Sequence, residues 1–117
     1  MKKHTILLVF VLSLLIFGGC KYDFILPEEV PVVNDVKFST QIVPVFAEKC
    51  VLCHNIQAPV LTSDAAYSQI VPNYVNTAAP SSSEIYTVPT SGTHGATVSA
   101  AQAALILQWI KEGAKNN

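Results

Sequence analysis

Apolar residues along this chain first fall in an almost unbroken run. Thr5 to Phe17 holds one polar residue after its start, Ser13, and follows the basic opening Met1-Lys2-Lys3-His4. The run is too short to span a bilayer comfortably, so it predicts the hydrophobic region of a secretory signal rather than a membrane helix. From Lys21 to Val36 no helical period follows, and the stretch carries Pro27, Pro31, Glu28 and Glu29. It predicts a tether, which extended at about 3.3 Å per residue reaches roughly 50 Å. Phe24, Ile25 and Leu26 also offer it a way to dock on the domain that follows.

Beyond the tether the apolar positions take on a helical spacing. Ile42, Val45 and Phe46, with the stem of Lys49, predict one face of a helix that starts near Ser39-Thr40 and runs toward Cys50. Pro44 is comfortable only in a first helical turn, so this helix either starts late or bends. The last helix is the best defined. Ser99-Ala100-Ala101-Gln102 reads as a capping box, with Ser99 at the N-cap and Gln102 three residues on. Leu105, Ile106, Leu107, Trp109 and Ile110 follow, and Gly113 suits the position just past the helix end. Leu105 and Trp109 are four apart and share a face, with Trp109 expected in the core. Two short helices are expected between these. Ser63 or Asp64 caps Ala65 to Ile70, and Ser81-Ser82-Ser83-Glu84 forms a second capping box leading into Ile85 and Tyr86. No alternating run is long enough for a strand. The pattern predicts residues 1–19 as signal, 20–36 as tether and 37–117 as one all-α domain with long loops. A domain this small is marginal on a hydrophobic core alone and often needs a staple or cofactor.

Composition changes the picture in three ways. The 117 residues include three cysteines, and Cys20 follows Gly18-Gly19 at the end of the signal. That junction resembles the lipobox of bacterial lipoproteins, with Phe17 where Leu is more usual. The resemblance implies cleavage before Cys20 and a lipid on its sulfur, hence an anchored protein of the cell envelope facing the periplasm or the cell surface. Cys50 and Cys53 then remain, in an exported domain. The formal charge of −1 includes Lys2 and Lys3; without them five Lys stand against eight acids, about −3, and the chain has no Arg. Such a balance argues against nucleic-acid partners, which require clustered positive charge.

Candidate chemistry centres on Cys50-Val51-Leu52-Cys53-His54. Cys-x-x-Cys-His is the attachment pattern of c-type haem. Two residues between the cysteines let one helical turn present both thiols to adjacent vinyl groups of one porphyrin. The histidine directly after lies beneath the iron. A zinc site from Cys50, Cys53, His54 and His94 competes on ligand count, but a second tightly spaced pair is missing. A thioredoxin-like redox pair would want a βαβ context, and a bare disulfide would close a loop of only two residues.

Phe38 to Phe46 and the haem motif, together with Gln108-Trp109-Ile110-Lys111-Glu112-Gly113-Ala114, resemble the small class I c-type cytochromes, above all monohaem bacterial lipoprotein cytochromes. The resemblance covers about residues 37 to 114. It implies a cytochrome c-like fold of three to four helices with long loops around one covalent haem c. Cys50 and Cys53 become the attachment residues and His54 the proximal ligand. It also implies electron transfer between redox protein partners of the envelope, with no enzymatic activity. Most such cytochromes draw a distal Met from the loop before the last helix. Here the one Met is Met1, lost with the signal, and that loop holds Thr93-His94-Gly95. His94 is therefore expected as the second axial ligand, against a solvated loop histidine or ligation by Lys111 or Lys115, both of which sit on or past the last helix. Bis-His ligation implies a low reduction potential, since Met/His ligation raises it. Pro59 resembles the family's proline whose carbonyl orients the proximal His. Val60, Leu61, Ile70, Ile85, Tyr86 and Val88 are candidate haem walls, and Tyr67 or Tyr74 a propionate partner. Two other function classes stay open. One is a sensor or enzyme module with an open distal site, against which the lack of Arg and of a spare His argues. The other is a haem-free binding lipoprotein.

Overall fold

Helix formation begins at Phe38, and Pro44 decides its form. In a computed structural model that describes residues 33–117, Phe38–Ile42 makes one wide π turn and α1 follows at Val43–Lys49. Pro44 has no N–H to donate to Thr40, and its ring crowds the turn behind it. The backbone accommodates this by pairing five residues back: Ile42 N–H donates to the Lys37 carbonyl at 3.3 Å. The Gln41 amide oxygen accepts from Lys37 N–H at 2.7 Å and closes the start of the turn. The expected signal, the expected lipid site Cys20 and the tether to residue 32 lie outside the described residues.

The remaining helices are α2 (Val51–His54), α3 (Ala66–Ile70), α4 (Glu84–Thr90) and α5 (Ala100–Lys111), with a 3₁₀ turn at Pro80–Ser82. The described residues are helical and contain no strand, so the all-α expectation holds. Ile42 at the end of the π turn and Val45 and Phe46 on α1 are all buried, as their spacing requires.

The last helix forms as its local sequence dictates. Ser99 Oγ accepts from Gln102 N–H at 3.2 Å, and the Gln102 amide oxygen accepts from Ser99 N–H at 2.9 Å. At the other end Gly113 takes φ +95°, a left-handed conformation open to glycine at little cost. Its N–H donates to the Ile110 carbonyl at 3.0 Å and that of Ala114 to Trp109 at 2.9 Å. This 5→2 and 6→1 pairing is a Schellman motif. The buried stripe of α5 is Ile106, Trp109 and Ile110, with Leu105 at its partly exposed edge.

Two capping expectations fail. α3 begins at Ala66 with Ala65 at its N-cap and no side-chain cap. Ser63 and Asp64 instead belong to a turn in which Ala65 and Ala66 N–H donate to the Thr62 carbonyl. At α4 the box of Ser81 and Glu84 does not form, because the helix starts two residues later than that box requires, at Glu84 with Ser83 as its N-cap. Ser83, now the N-cap, is buried with its hydroxyl already in use. Its Oγ accepts from Asn76 N–H at 2.9 Å and holds the preceding loop against the helix start.

The two ends of the domain are tied together. α5 packs against the Phe38–Ile42 turn, and the Phe38 ring lies 5.1 Å from Trp109, 5.2 Å from Tyr67 and 6.3 Å from Phe46. Tyr67 OH donates to the Ala114 carbonyl at 3.0 Å. Asn117 Oδ1 accepts from Phe38 N–H at 2.8 Å. The Glu112 carboxylate accepts from Asp35 N–H at 3.0 Å and Val36 N–H at 2.7 Å, clasping the incoming segment to the end of α5. Donation from the Gln108 side chain, then from Val36 N–H, holds the Glu112 carboxyl below the usual Glu range. A depressed folded-state pKa adds stability above the unfolded pKa and loses it as pH falls through the folded value. Wild type is therefore expected to exceed Glu112→Gln in urea midpoint at pH 7. The difference should shrink as pH drops below about 4.3, the ordinary Glu value. An equal difference at pH 7 and pH 3 would show that the charge contributes nothing.

Candidate functional site

Cys50 sits at the junction of α1 and α2. Its N–H donates back to Phe46 at 2.8 Å, and its carbonyl accepts from Cys53 and His54 N–H at 3.2 and 2.9 Å. The two thiols and the imidazole thus leave one continuous turn. Both cysteines are free. Cys50 is half-buried, and burial pushes its thiol pKa up, while Cys53 is exposed. Leu52 and Ile56 flank Cys53 at 91% and 88% exposure, so the outer face of the motif is apolar.

The chain after α2 loops back on His54. Leu61 N–H donates to the His54 carbonyl at 2.8 Å. This return brings the Pro59 carbonyl to 2.9 Å from His54 Nδ1, with the Gln57 carbonyl at 3.3 Å. A carbonyl can only accept, so the contact requires the proton on Nδ1 and leaves Nε2 with a free lone pair. Such a bond fixes the ring and raises its basicity as a metal ligand.

His94 approaches from the segment between α4 and α5. Ser91 Oγ donates to the Val88 carbonyl at 2.8 Å and lies 2.8 Å from Thr93 Oγ1. Gly92, at φ +73°, turns the chain between them. The His94 ring lies 6.0 Å from that of His54, centroid to centroid, with 28° between their planes. In the chain alone this is a near-parallel aromatic pair. Metal–imidazole bonds of about 2.0–2.1 Å on either side of one ion leave ring centroids roughly 6 Å apart, so the spacing also fits an axial pair.

Both histidines line a cleft of about 150 Å³, or about 650 Å³ of unfilled space when its open mouth is counted. Leu61, Ile85, Val88, Pro89, Ala96 and Val98 make its wall apolar, with Lys49, Tyr74 and Glu84 also lining it. Of the expected walls, Leu61, Ile85 and Val88 line the cleft. Ile70 lies instead in the closed core, and Val60 and Tyr86 are not among the lining residues. Tyr67 is committed to Ala114, which leaves Tyr74 as the tyrosine at the site. Sequence reasoning passed over Ala96 and Val98. No local pattern marks them, since the chain bends through His94, Gly95 and Ala96 and no period relates their side chains.

Among the described residues no three His, Cys, Asp or Glu side chains gather as a metal site would. The arrangement is two facing imidazoles, not four ligands about a point. Cys50 lines the cleft with the two imidazoles, whereas Cys53, one turn along, is exposed and is not among the lining residues. One thiol, two imidazoles and an apolar wall suit a flat apolar macrocycle carrying a ligated metal. Among the described residues no helix is long and apolar enough to cross a membrane. No family model matches the chain, and no curated protein or solved structure matches it.

Proposed function

We propose that this protein is a monohaem c-type cytochrome, a one-electron carrier anchored to a membrane of the cell envelope through Cys20. In this proposal the domain has a cytochrome c-like arrangement. Cys50 and Cys53 bind one haem c covalently, and His54 and His94 are its axial ligands. The observation that carries the proposal is one juxtaposition. Cys50 and His54 of the Cys-x-x-Cys-His turn line an apolar cleft, and the ring of the only other described histidine lies 6.0 Å from that of His54, on the same cleft.

Bound haem supplies a reversible one-electron couple. The residues supply its setting. Cys50 and Cys53 would hold the group by adding S–H across its vinyl double bonds, sulfur to one carbon and hydrogen to the other, with no net oxidation. Pro59 holds the His54 tautomer through Nδ1. Leu61, Ile85 and Val88 would give the bound group an apolar wall and lower the dielectric around its iron. With both axial positions filled by side chains there is no vacant position for a substrate, so the proposed role is carriage between redox protein partners rather than catalysis.

The test is maturation in a host that attaches c-type haem. Haem is expected to stay with the polypeptide on a denaturing gel, and the reduced protein to show sharp α and β bands. The Cys50→Ala/Cys53→Ala double variant should lose haem on denaturation. Absence of a Soret band from the wild-type chain would sink the proposal.

A further inference from the structure

The two axial histidines of the proposed haem site are held very differently. His54 is half-buried on a helix, with Nδ1 at 2.9 Å from the Pro59 carbonyl. His94 is exposed on a connecting segment, and its ring makes no hydrogen bond to any described residue. Outer partners of a ligating His change metal affinity by roughly 10–100-fold, so the weaker bond is the one to His94. Beside His94 a shallow, open surface hollow of about 310 Å³ is lined by Thr87, Val88, Ser91 and Thr93. It shares only Val88 and His94 with the cleft. It gives a departing imidazole space and one uncommitted polar group: the Ser91 and Thr93 hydroxyls lie there but are bonded to the Val88 carbonyl and to each other, whereas that of Thr87 has no partner among the described residues.

We infer that the position held by His94 is an exchangeable ligand site, which admits a small neutral π-acceptor of the carbon monoxide or nitric oxide class while His54 stays bound. The inference rests on the haem assignment above. In the exchange, the bond from a His94 ring nitrogen to ferrous iron breaks and a bond from the incoming ligand's lone pair forms. No electron or proton changes hands, and the iron is ferrous beforehand, reduced by dithionite in the test. The resting protein remains six-coordinate, so electron carriage and ligand exchange coexist.

The experiment mixes the haem-loaded, dithionite-reduced chain with carbon monoxide and follows the Soret band. In wild type the rate is expected to level off as carbon monoxide rises, because His94 release becomes limiting. His94→Ala should bind at least roughly tenfold faster, with no plateau. A haem-loaded wild type whose spectrum is unchanged by carbon monoxide overturns the exchange and leaves the haem assignment standing. A wild-type rate that climbs without limit, as in the variant, overturns it too, since His94 would then hold no bond to release. A chain with no covalent haem overturns the haem assignment, and the exchange with it.

Discussion

His94→Met is expected to raise the reduction potential of the haem-loaded protein. Imidazole donates more electron density to ferric iron than a thioether does, so His/His ligation favours the oxidised state and Met/His ligation raises the potential. Axial ligands command a span of about 0.8 V, and this single exchange should claim an appreciable part of it. The substitution suits the test because His94 is exposed and outside the packed core. In the haem-free chain, surface changes of that kind usually alter stability by no more than about 0.5 kcal/mol, and urea unfolding of both haem-free chains checks that the fold is intact. Spectroelectrochemical titration of both proteins reads the shift. An unchanged potential together with an unchanged low-spin spectrum would remove His94 from the site.

The largest stability effect is expected at Trp109. Its side chain is 0% exposed and packs 5.1 Å from the Phe38 ring. Its indole N–H donates to the Lys115 carbonyl at 2.9 Å. Truncating a buried Trp to Ala costs about 3–5 kcal/mol through lost transfer energy and the cavity left behind. Domains are stable by only about 5–15 kcal/mol, and small ones lie at the low end. Trp109→Ala should therefore leave the haem-free chain largely unfolded at 25 °C. Trp109→Phe should cost less, since it keeps most of the apolar volume and loses the N–H bond. Urea unfolding followed by circular dichroism checks both. A cost below about 1 kcal/mol for the Ala variant would mean that the contact of Trp109 with the Phe38 turn is not central to the core.

What could be read from the sequence divides along a physical line. The Ser99–Gln102 box and the Gly113 cap involve partners within five residues, so local pattern sufficed for both. The same logic failed at Ser81-Ser82-Ser83-Glu84, because Ser83 Oγ has a partner seven residues back, at Asn76. Pro44 marked an irregularity but not its form; the π turn depends on where the Lys37 carbonyl finds its donor. Leu52 and Ile56 would be placed inside on hydropathy alone, yet they stand outside, since their turn directs His54 inward instead.

The candidate site divides in the same way. By itself the sequence determined the pair Cys50 and Cys53, the adjacent His54, and the absence of any Met after Met1, since these are matters of identity and spacing along the chain. Only the tertiary structure decided that the Pro59 carbonyl meets Nδ1, that Ala96 and Val98 line the cleft, and that His94 lies 6.0 Å from His54. Forty residues separate the two histidines. No local rule sets a distance across such a span; it follows from how α4 and α5 pack and where the segment between them is then obliged to run.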